Sequence, residues 1–248
     1  MTQLFAFDKD GTITPPNSPL SKESAYFFVN FLKQHNVSIL TARDIKTCQE
    51  HIIDPIIQEN PSMDLTKITL ACSNGSEIFA FQKNEYKKVS TDVNALRLKD
   101  GSRFNIKKSC DKALEITKKI FPRATIEIRG DFFIAIPCIP RDVSTDERNL
   151  LDPDAIKRGK IITQLKAIFP DFFEILPGGK TTIDIALINK EYGMRHVMEY
   201  FNIKNPDQIH YFGDSFNGGN DEPVKNIKGI HIHEVKSPDE TFEILKNL

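Results

Sequence analysis

The sequence predicts an α/β core on a parallel sheet with helical crossovers, interrupted by a smaller α+β insertion. Two observations carry this. From the amino end, short apolar runs alternate with helical patterns, and that rhythm returns near the carboxyl end. Between them the order changes to helix, hairpin, helix, hairpin.

Leu4–Phe7 is too short and too apolar for an exposed helix and reads as a buried strand. Pro15, Pro16 and Pro19 exclude regular structure just after it. Ser21 caps a helix with Ala25, Phe28, Val29 and Leu32 at helical spacing. Val37–Leu40 is a second buried strand, leading into Thr41-Ala42-Arg43-Asp44, and Asp44 caps a helix that passes His51 and stops before Pro61. Ile68–Cys72 is a third strand, broken by Ser73-Asn74-Gly75. Strands and helices alternating in this way imply parallel pairing.

Ser109–Ile120 then reads as a helix, and Thr125–Arg129 with Phe132–Pro137 as a hairpin about Gly130-Asp131. Pro153–Phe169 reads as a helix with proline in its first turn, and Phe172–Leu176 with Thr181–Ala186 as a second hairpin about Pro177-Gly178-Gly179. A helix near Tyr192–Phe201 and strands at Ile209–Phe212 and Gly229–His233 restore the first rhythm. The expected domains are therefore a core of residues 1–83 and 187–248 and an insertion of residues 84–186. No internal repeat or low-complexity tract is visible.

Composition narrows the function. The 248 residues are 40% hydrophobic and 27% charged, ordinary for a globular protein. With 33 basic and 34 acidic residues there is no basic surplus for nucleic acid. Apolar stretches are too short to span a bilayer, and no charged-then-apolar leader precedes residue 4, so a cytoplasmic protein is expected. Cys48, Cys72, Cys110 and Cys138 are widely spaced without a Cys-x-x-Cys pair and read as buried reduced thiols.

The chemistry begins at Asp8-Lys9-Asp10-Gly11-Thr12, where a strand delivers two carboxylates into a glycine turn. In a doubly wound sheet, ligands sit at the carboxyl ends of strands. One ionised carboxylate there is suited to attack phosphorus and the other to move a proton, provided phosphate charge is neutralised. A calcium loop is excluded, because no register places glycine at position 6 and glutamate at 12, and the flank is a strand. Thr41, at the end of the neighbouring strand, offers a hydroxyl to a transferring phosphoryl group. Gly213-Asp214-Ser215 with Gly218-Gly219-Asn220-Asp221 follows another strand with more acids. Acids at adjacent strand ends repel without a cation, so Mg²⁺ held by Asp8, a backbone oxygen of Asp10 and Asp214, with Asp221 supporting or ligating, is expected. Lys190, before a helix, supplies a cation for Asp8 and phosphate. Gly178-Gly179-Lys180-Thr181 is not a P-loop, since Glu174 stands where its first glycine is needed. His231 and His233 alternate on a strand without a third ligand and read as packing residues.

Taken in order, Asp8-x-Asp10-Gly-Thr, Thr41, Lys190 and Gly213-Asp214…Asp221 resemble the four motifs of the haloacid dehalogenase-like (HAD) phosphotransferases. The resemblance implies a Rossmann-like HAD core with an inserted cap domain of the class IIB type. Within that superfamily the chain is similar to eukaryotic-type phosphomannomutases. The similar stretches include Phe7-Asp-Lys-Asp-Gly-Thr-Ile-Thr-Pro-Pro, Ser73-Asn74-Gly75, Thr125-Ile-Glu-Ile-Arg129, Pro140-Arg141, Glu147-Arg148 and Met194-Arg195-His196-Val197. The resemblance implies that Arg129, Arg141 and Arg148 bind the distal phosphate of a sugar phosphate and that Thr182 and Asp184 touch the ligand. It also implies Mg²⁺, hexose 1,6-bisphosphate as activator, mannose 6-phosphate and mannose 1-phosphate as the interconverted pair, and a homodimer through the cap. Arginine suits a second phosphate site because its planar fork binds two oxygens at once. The chain departs from that family at Thr41-Ala42-Arg43, where the family has two glycines and a serine, and this stretch resembles HAD sugar phosphatases of the same cap class. The loop Asp214–Asp221 and the segment before Lys190 are shorter than the family pattern, and Val224–Gly229 lacks its second ion-binding loop. The alternative expectation is therefore a sugar-phosphate phosphatase, with water as acceptor.

Overall fold

The computed structural model describes residues 3–91, 104–129, 133–140, 143–144, 147, 150–170, 173–178, 181–186 and 189–248. The described strands are β1 (Leu4–Phe7), β2 (Asn36–Leu40), β3 (Ile68–Cys72), β4 (Glu77–Gln82), β5 (Glu85–Thr91), β6 (Glu127–Arg129), β7 (Phe133–Pro137), β8 (Glu174–Gly178), β9 (Thr182–Ala186), β10 (Ile209–Gly213) and β11 (His231–Glu234). The described α-helices are α1 (Lys22–Phe31), α2 (Ile45–Cys48), α3 (Asp54–Glu59), α4 (Ile106–Lys118), α5 (Ile156–Leu165), α6 (Lys190–Tyr200) and α7 (Pro238–Leu245). A π-helical turn, Gln49–Ile53, joins α2 to α3. The chain forms two units, Met1–Thr91 with Asn189–Leu248, and Asp92–Ile188.

In the first unit seven strands lie in the order β11-β10-β1-β2-β3-β4-β5. Pairing is parallel from β11 to β3 and antiparallel from β3 to β5. The register sets Phe7 opposite Ile39 of β2 and opposite Phe212 of β10. The unbroken apolar run of β1 is what a strand buried on both faces requires. Phe5 and Phe7 pack with Ala25 and Phe28 of α1 and Phe242 of α7. Leu4 and Ala6 pack on the other face with Met194 and Val197 of α6. Ser21 and Asp44 cap their helices as the sequence predicts, accepting from Ser24 N at 3.1 Å and Thr47 N at 2.7 Å.

The β4–β5 hairpin was not legible in the sequence. Its turn, Lys83-Asn84, has φ of 53° and 65° without a glycine, so the usual hairpin signal is missing. The expected boundary after residue 83 falls within that turn, and β5 pairs with β4 in the first sheet. Helix α7 was likewise unanticipated, and β11 starts two residues later than expected.

The second unit is an antiparallel sheet in the order β6-β7-β9-β8. Cys110 and Ala113 of α4 and Ile161 and Leu165 of α5 pack against Ile134, Ile136, Ile183 and Ile185 of the sheet. Asn105 caps α4, accepting from Lys108 N at 3.1 Å, so the helix begins three residues before the expected Ser109. The turn residues of both hairpins, apart from Pro177 and Gly178 in β8, lie outside the described residues.

Helix α5 begins at Ile156, not at Pro153, because Ala155 before it is left-handed, with φ of 53°. Asp152 does the capping from further upstream. Its Oδ1 accepts from Lys157 N at 2.9 Å, and its Oδ2 accepts from Arg158 N at 3.1 Å and Arg158 Nε at 3.0 Å. Arg158 Nη1 also donates to Thr182 O at 3.2 Å, tying the helix to β9. Both side chains of this pair are 3% exposed. Removing one partner of a buried pair leaves the other charge uncompensated. Asp152→Ala is therefore expected to destabilise the insertion by about 3 kcal/mol, read as a lowered denaturant midpoint. An unchanged midpoint would show that the pair contributes nothing.

All four cysteines are buried and free, as expected. No helix of the described residues is long and apolar enough to cross a membrane.

Candidate active site

The chain leaves β1 towards β2 on one side and returns to β10 on the other, so the carboxyl ends of β1 and β10 flank a topological switch point. Asp8 follows β1 and Asp214 follows β10. Asp8 N donates to Phe212 O at 2.9 Å, which continues the ladder past the end of β1. Gly11 then turns the chain with φ of 93°. A Cβ there would stand 2.2 Å from Asp214 Oδ2, so only glycine lets this carboxylate close on the turn.

Lys190 opens α6, whose N-cap Asn189 accepts from Tyr192 N at 3.1 Å. The helix is seated against the Ser73-Asn74-Gly75 turn so closely that a Cβ on Gly193 would stand 1.9 Å from Asn74 O. His196 adds a contact between its Nδ1 and Gly75 O at 2.8 Å and another to Ser90. Packing thus drives a fully buried ammonium into the site. Lys190 Nζ donates to Asp8 Oδ1 and to Asp221 Oδ1, each at 2.7 Å. Asp221 Oδ1 also accepts from the Tyr211 hydroxyl, and its Oδ2 accepts from Ser215 N at 2.9 Å.

Asp8, Asp214 and Asp221 each present an oxygen within 4.8 Å of the others. Three carboxylates face one ammonium, an excess of negative charge that a divalent cation would offset. Opposite oxygens around magnesium stand about 4.2 Å apart, from its bond length of about 2.1 Å, so oxygens gathered within 4.8 Å of one another need only a small adjustment to enclose one ion. Asp8 and Asp214 are the better direct ligands. Asp221 already accepts three hydrogen bonds of the roughly four its oxygens hold, which suits it to a supporting role.

The surroundings set the protonation chemistry. Burial, opposed by Lys190 and reinforced by Asp221 and Asp214, pushes the Asp8 carboxyl up to about 7. Burial and then Asp221 also raise Asp214. For Lys190, burial works against the charge, but Asp221 and Asp8 outweigh it and hold the ammonium above its ordinary value. Burial, then the Asp221 charge, keep Tyr211 well above the usual phenol range, so it acts as a hydrogen-bond donor.

Asp10 lies in a separate network. Its Oδ1 accepts from Lys9 Nζ at 3.0 Å and Asn17 N at 2.8 Å, and its Oδ2 accepts from Arg43 Nε at 2.6 Å. Lys9 is fully buried and also donates to Thr14 Oγ1 at 3.1 Å and Ser18 O at 3.0 Å. Burial would raise Asp10, but the Arg43 and Lys9 charges prevail and hold it below its ordinary value. The Asp10 carboxylate is thus engaged with cations outside the three-acid group, and the ligand expected from this residue remains its backbone oxygen. Thr41, one residue beyond β2, is buried and its Oγ1 accepts from Arg43 N at 3.2 Å.

Sequence reasoning missed Lys9, Arg43, Asn17, Tyr211 and Ser215. Lys9 and Arg43 could have been singled out, because cations one residue from Asp10 and two from Thr41 sit at the two strand ends already chosen. Tyr211 carried no such signal, since it reads as a core aromatic.

The cap residues are only partly described. Thr182 and Asp184 lie on β9, where they alternate with the buried Ile183 and Ile185 and so share the face away from the hydrophobic core. Asp184 is opposite Ala135 of β7 and Leu176 of β8. Arg129 ends β6, and Arg141 and Arg148 lie outside the described residues.

Comparison with known proteins places the chain in a family. The chain is 29% identical to a phosphomannomutase from Saccharomyces cerevisiae, over 99% of this chain and 93% of that one. It is 27% identical to a phosphomannomutase from Spinacia oleracea, over 97% of this chain and 93% of that one. Among solved structures it resembles Plasmodium falciparum IMP-nucleotidase, with a TM-score of 0.69 and 19% identity over 99% of this chain and 62% of that one. It also resembles the C-terminal domain of Candida albicans trehalose-6-phosphate phosphatase, with a TM-score of 0.67 and 14% identity over 99% of this chain and 91% of that one. At these identities the structural likeness shows the fold alone. The sequence profile described as eukaryotic phosphomannomutase matches residues 27–248. The chain is therefore an enzyme of HAD phosphotransferase type and belongs to the eukaryotic phosphomannomutase family.

Proposed function

We propose that this enzyme interconverts hexose 6-phosphate and hexose 1-phosphate, with mannose as the favoured sugar, through a phosphorylated Asp8. The observation that carries the reading is the Lys190 ammonium, held at 2.7 Å from both Asp8 and Asp221 beside Asp214 at the switch point. Asp10, held below its ordinary value by Arg43 and Lys9, takes the proton of the accepting hydroxyl as phosphorus passes from Asp8 to that oxygen. In the return step an Asp8 oxygen attacks phosphorus as the bond from phosphorus to the leaving sugar oxygen breaks, and Asp10 gives that oxygen the proton it took. Thr41 and Lys190 hold the transferring group. Arg129, Arg141 and Arg148 grip the distal phosphate, and Thr182 and Asp184 contact the sugar. When bound at Asp8, the Asp10 backbone oxygen and Asp214, with Asp221 in support, Mg²⁺ supplies charge neutralisation at the phosphoryl oxygens. The reading includes hexose 1,6-bisphosphate as activator, an inserted cap that carries the distal grip, a homodimer through that cap and a cytoplasmic location.

Incubation with mannose 1-phosphate, Mg²⁺ and catalytic hexose 1,6-bisphosphate should form hexose 6-phosphate well in excess of free phosphate. Dominant phosphate release, insensitive to the bisphosphate, would reject the mutase in favour of a sugar-phosphate phosphatase. The stretch Thr41-Ala42-Arg43, at the end of β2, is the observation on the phosphatase side.

The metal expectation has its own signature. Without an ion, Asp8 titrates at about 7 in the folded chain, against about 3.9 when unfolded. The folded state then binds the extra proton between those values, and its stability falls as pH rises through them. A bound cation favours the anion and removes that loss. The gain in Tm on adding Mg²⁺ is therefore expected to be several degrees larger at pH 8 than at pH 5. Equal gains at both would show that the ion does not bind at Asp8.

A further inference from the structure

The carboxylate of Asp10 has both oxygens engaged, and its partners reach it from two strand ends and the loop between β1 and α1. Arg43 is the hub of that arrangement. Its Nε meets Asp10 Oδ2 at 2.6 Å while its Nη2 meets Asn17 Oδ1 at 2.6 Å. Asn17 itself is left-handed, with φ of 59°, and its backbone N–H returns to Asp10 Oδ1. One planar guanidinium thus holds the acid directly and also holds the residue that donates to the acid's other oxygen. The Arg43 backbone N–H adds a hydrogen bond to Thr41 Oγ1. The side chains of Arg43 and Asp10 are 16% and 20% exposed, so the clamp sits at the solvent margin of the site rather than in the core. Lys9 shares the Asp10 Oδ1 oxygen, but it is buried and bound to Thr14 and Ser18, which makes it part of the turn.

We infer that Arg43 is a positioning residue that aims the Asp10 carboxylate at the sugar oxygen and keeps the Asn17 loop folded against it. The inference rests on the phosphotransferase reading of Asp8 and Asp10. Arg43 touches neither phosphorus nor sugar in this scheme, so its effect appears only in steps that move a proton. Transfer to or from a sugar hydroxyl is such a step: the oxygen–phosphorus bond forms or breaks as a proton passes through Asp10. Transfer from 4-nitrophenyl phosphate to Asp8 is not. Its phosphorus–oxygen bond breaks to release nitrophenolate, which leaves as an anion and needs no proton.

The test compares kcat/KM for these two substrates. Arg43→Ala should lower kcat/KM for mannose 1-phosphate, measured as hexose 6-phosphate plus free phosphate, by about 100-fold, within the range of acid–base contributions. It should lower kcat/KM for 4-nitrophenyl phosphate by less than about threefold. Arg43→Lys keeps the charge but lacks the fork and should recover at most about a tenth of the loss. In an Asp10→Ala background, Arg43→Ala should add less than about twofold, because a residue acting through Asp10 has nothing left to position. Equal losses for both substrates, full recovery with lysine, or full additivity with Asp10→Ala would overturn the inference. A wild-type chain that turns over neither ester would instead overturn the phosphotransferase reading beneath it.

Discussion

Asp8→Asn is expected to eliminate phosphoryl transfer, lowering turnover of any phosphate ester by at least about a thousandfold. The amide keeps the shape of the side chain but lacks the anion that attacks phosphorus. Acid quenching of wild type during turnover of a labelled donor should trap hydroxylamine-labile phosphate on the chain, and the variant should carry none. The fold should survive. The substitution removes a buried charge that Asp221 and Asp214 repel, and a neutral oxygen remains to accept from Lys190. A melting temperature within a few degrees of wild type is the corresponding control. A variant that still acquires hydroxylamine-labile label would sink covalent catalysis at this position.

Lys190→Met should produce the largest loss of stability among the site substitutions and remove turnover with it. The ammonium is fully buried and is the sole described cation hydrogen-bonded to Asp8 and Asp221. Methionine fills a similar volume but leaves those carboxylates facing each other, and breaking a buried pair costs about 3–5 kcal/mol. For a chain of this size that is a fall in Tm of about 10 °C. The deficit should depend on pH with a definite sign. Without Lys190 the folded-state value of Asp8 rises further, so the folded variant holds a proton that the unfolded chain has lost above about pH 4. Wild type also holds the Asp8 proton below about pH 7, so the deficit against it should be flat there and widen as pH rises through 7, where wild type ionises Asp8 and the variant does not. A deficit that is constant with pH would mean that lost packing, not lost charge, is responsible.

The parts of the site legible in the sequence are those whose chemistry is local. Asp8 and Asp10 follow an unmistakable buried strand, Asp214 follows another, and Lys190 opens a helix. The sequence also pairs Lys190 with Asp8, although 182 residues separate them, but its second partner, Asp221, 31 residues away, was not visible. Arg43 was likewise passed over. Its partner Asp10 lies 33 residues away, and an arginine after a strand reads as a surface charge until the sheet order brings the two strand ends together. The inserted unit shows the same limit. Its helices and hairpins follow from turn residues and periodicity, but the start of α5 depends on where Asp152 reaches, and the boundary near residue 84 depends on a turn without glycine.

By itself, then, the sequence determined the succession of strands and helices apart from the β4–β5 hairpin and α7, the α/β class with its insertion, and the acids and the lysine singled out as candidates, because burial patterns, turn residues and strand-end carboxylates act over a few residues. The tertiary structure decided which charges neutralise which. Parallel pairing of β1 with β2 and β10 brings distant strand ends to one edge, and tight seating of α6 on the Asn74 turn drives Lys190 between Asp8 and Asp221. Electrostatic strength depends on distance and burial, and neither is set until the chain has packed.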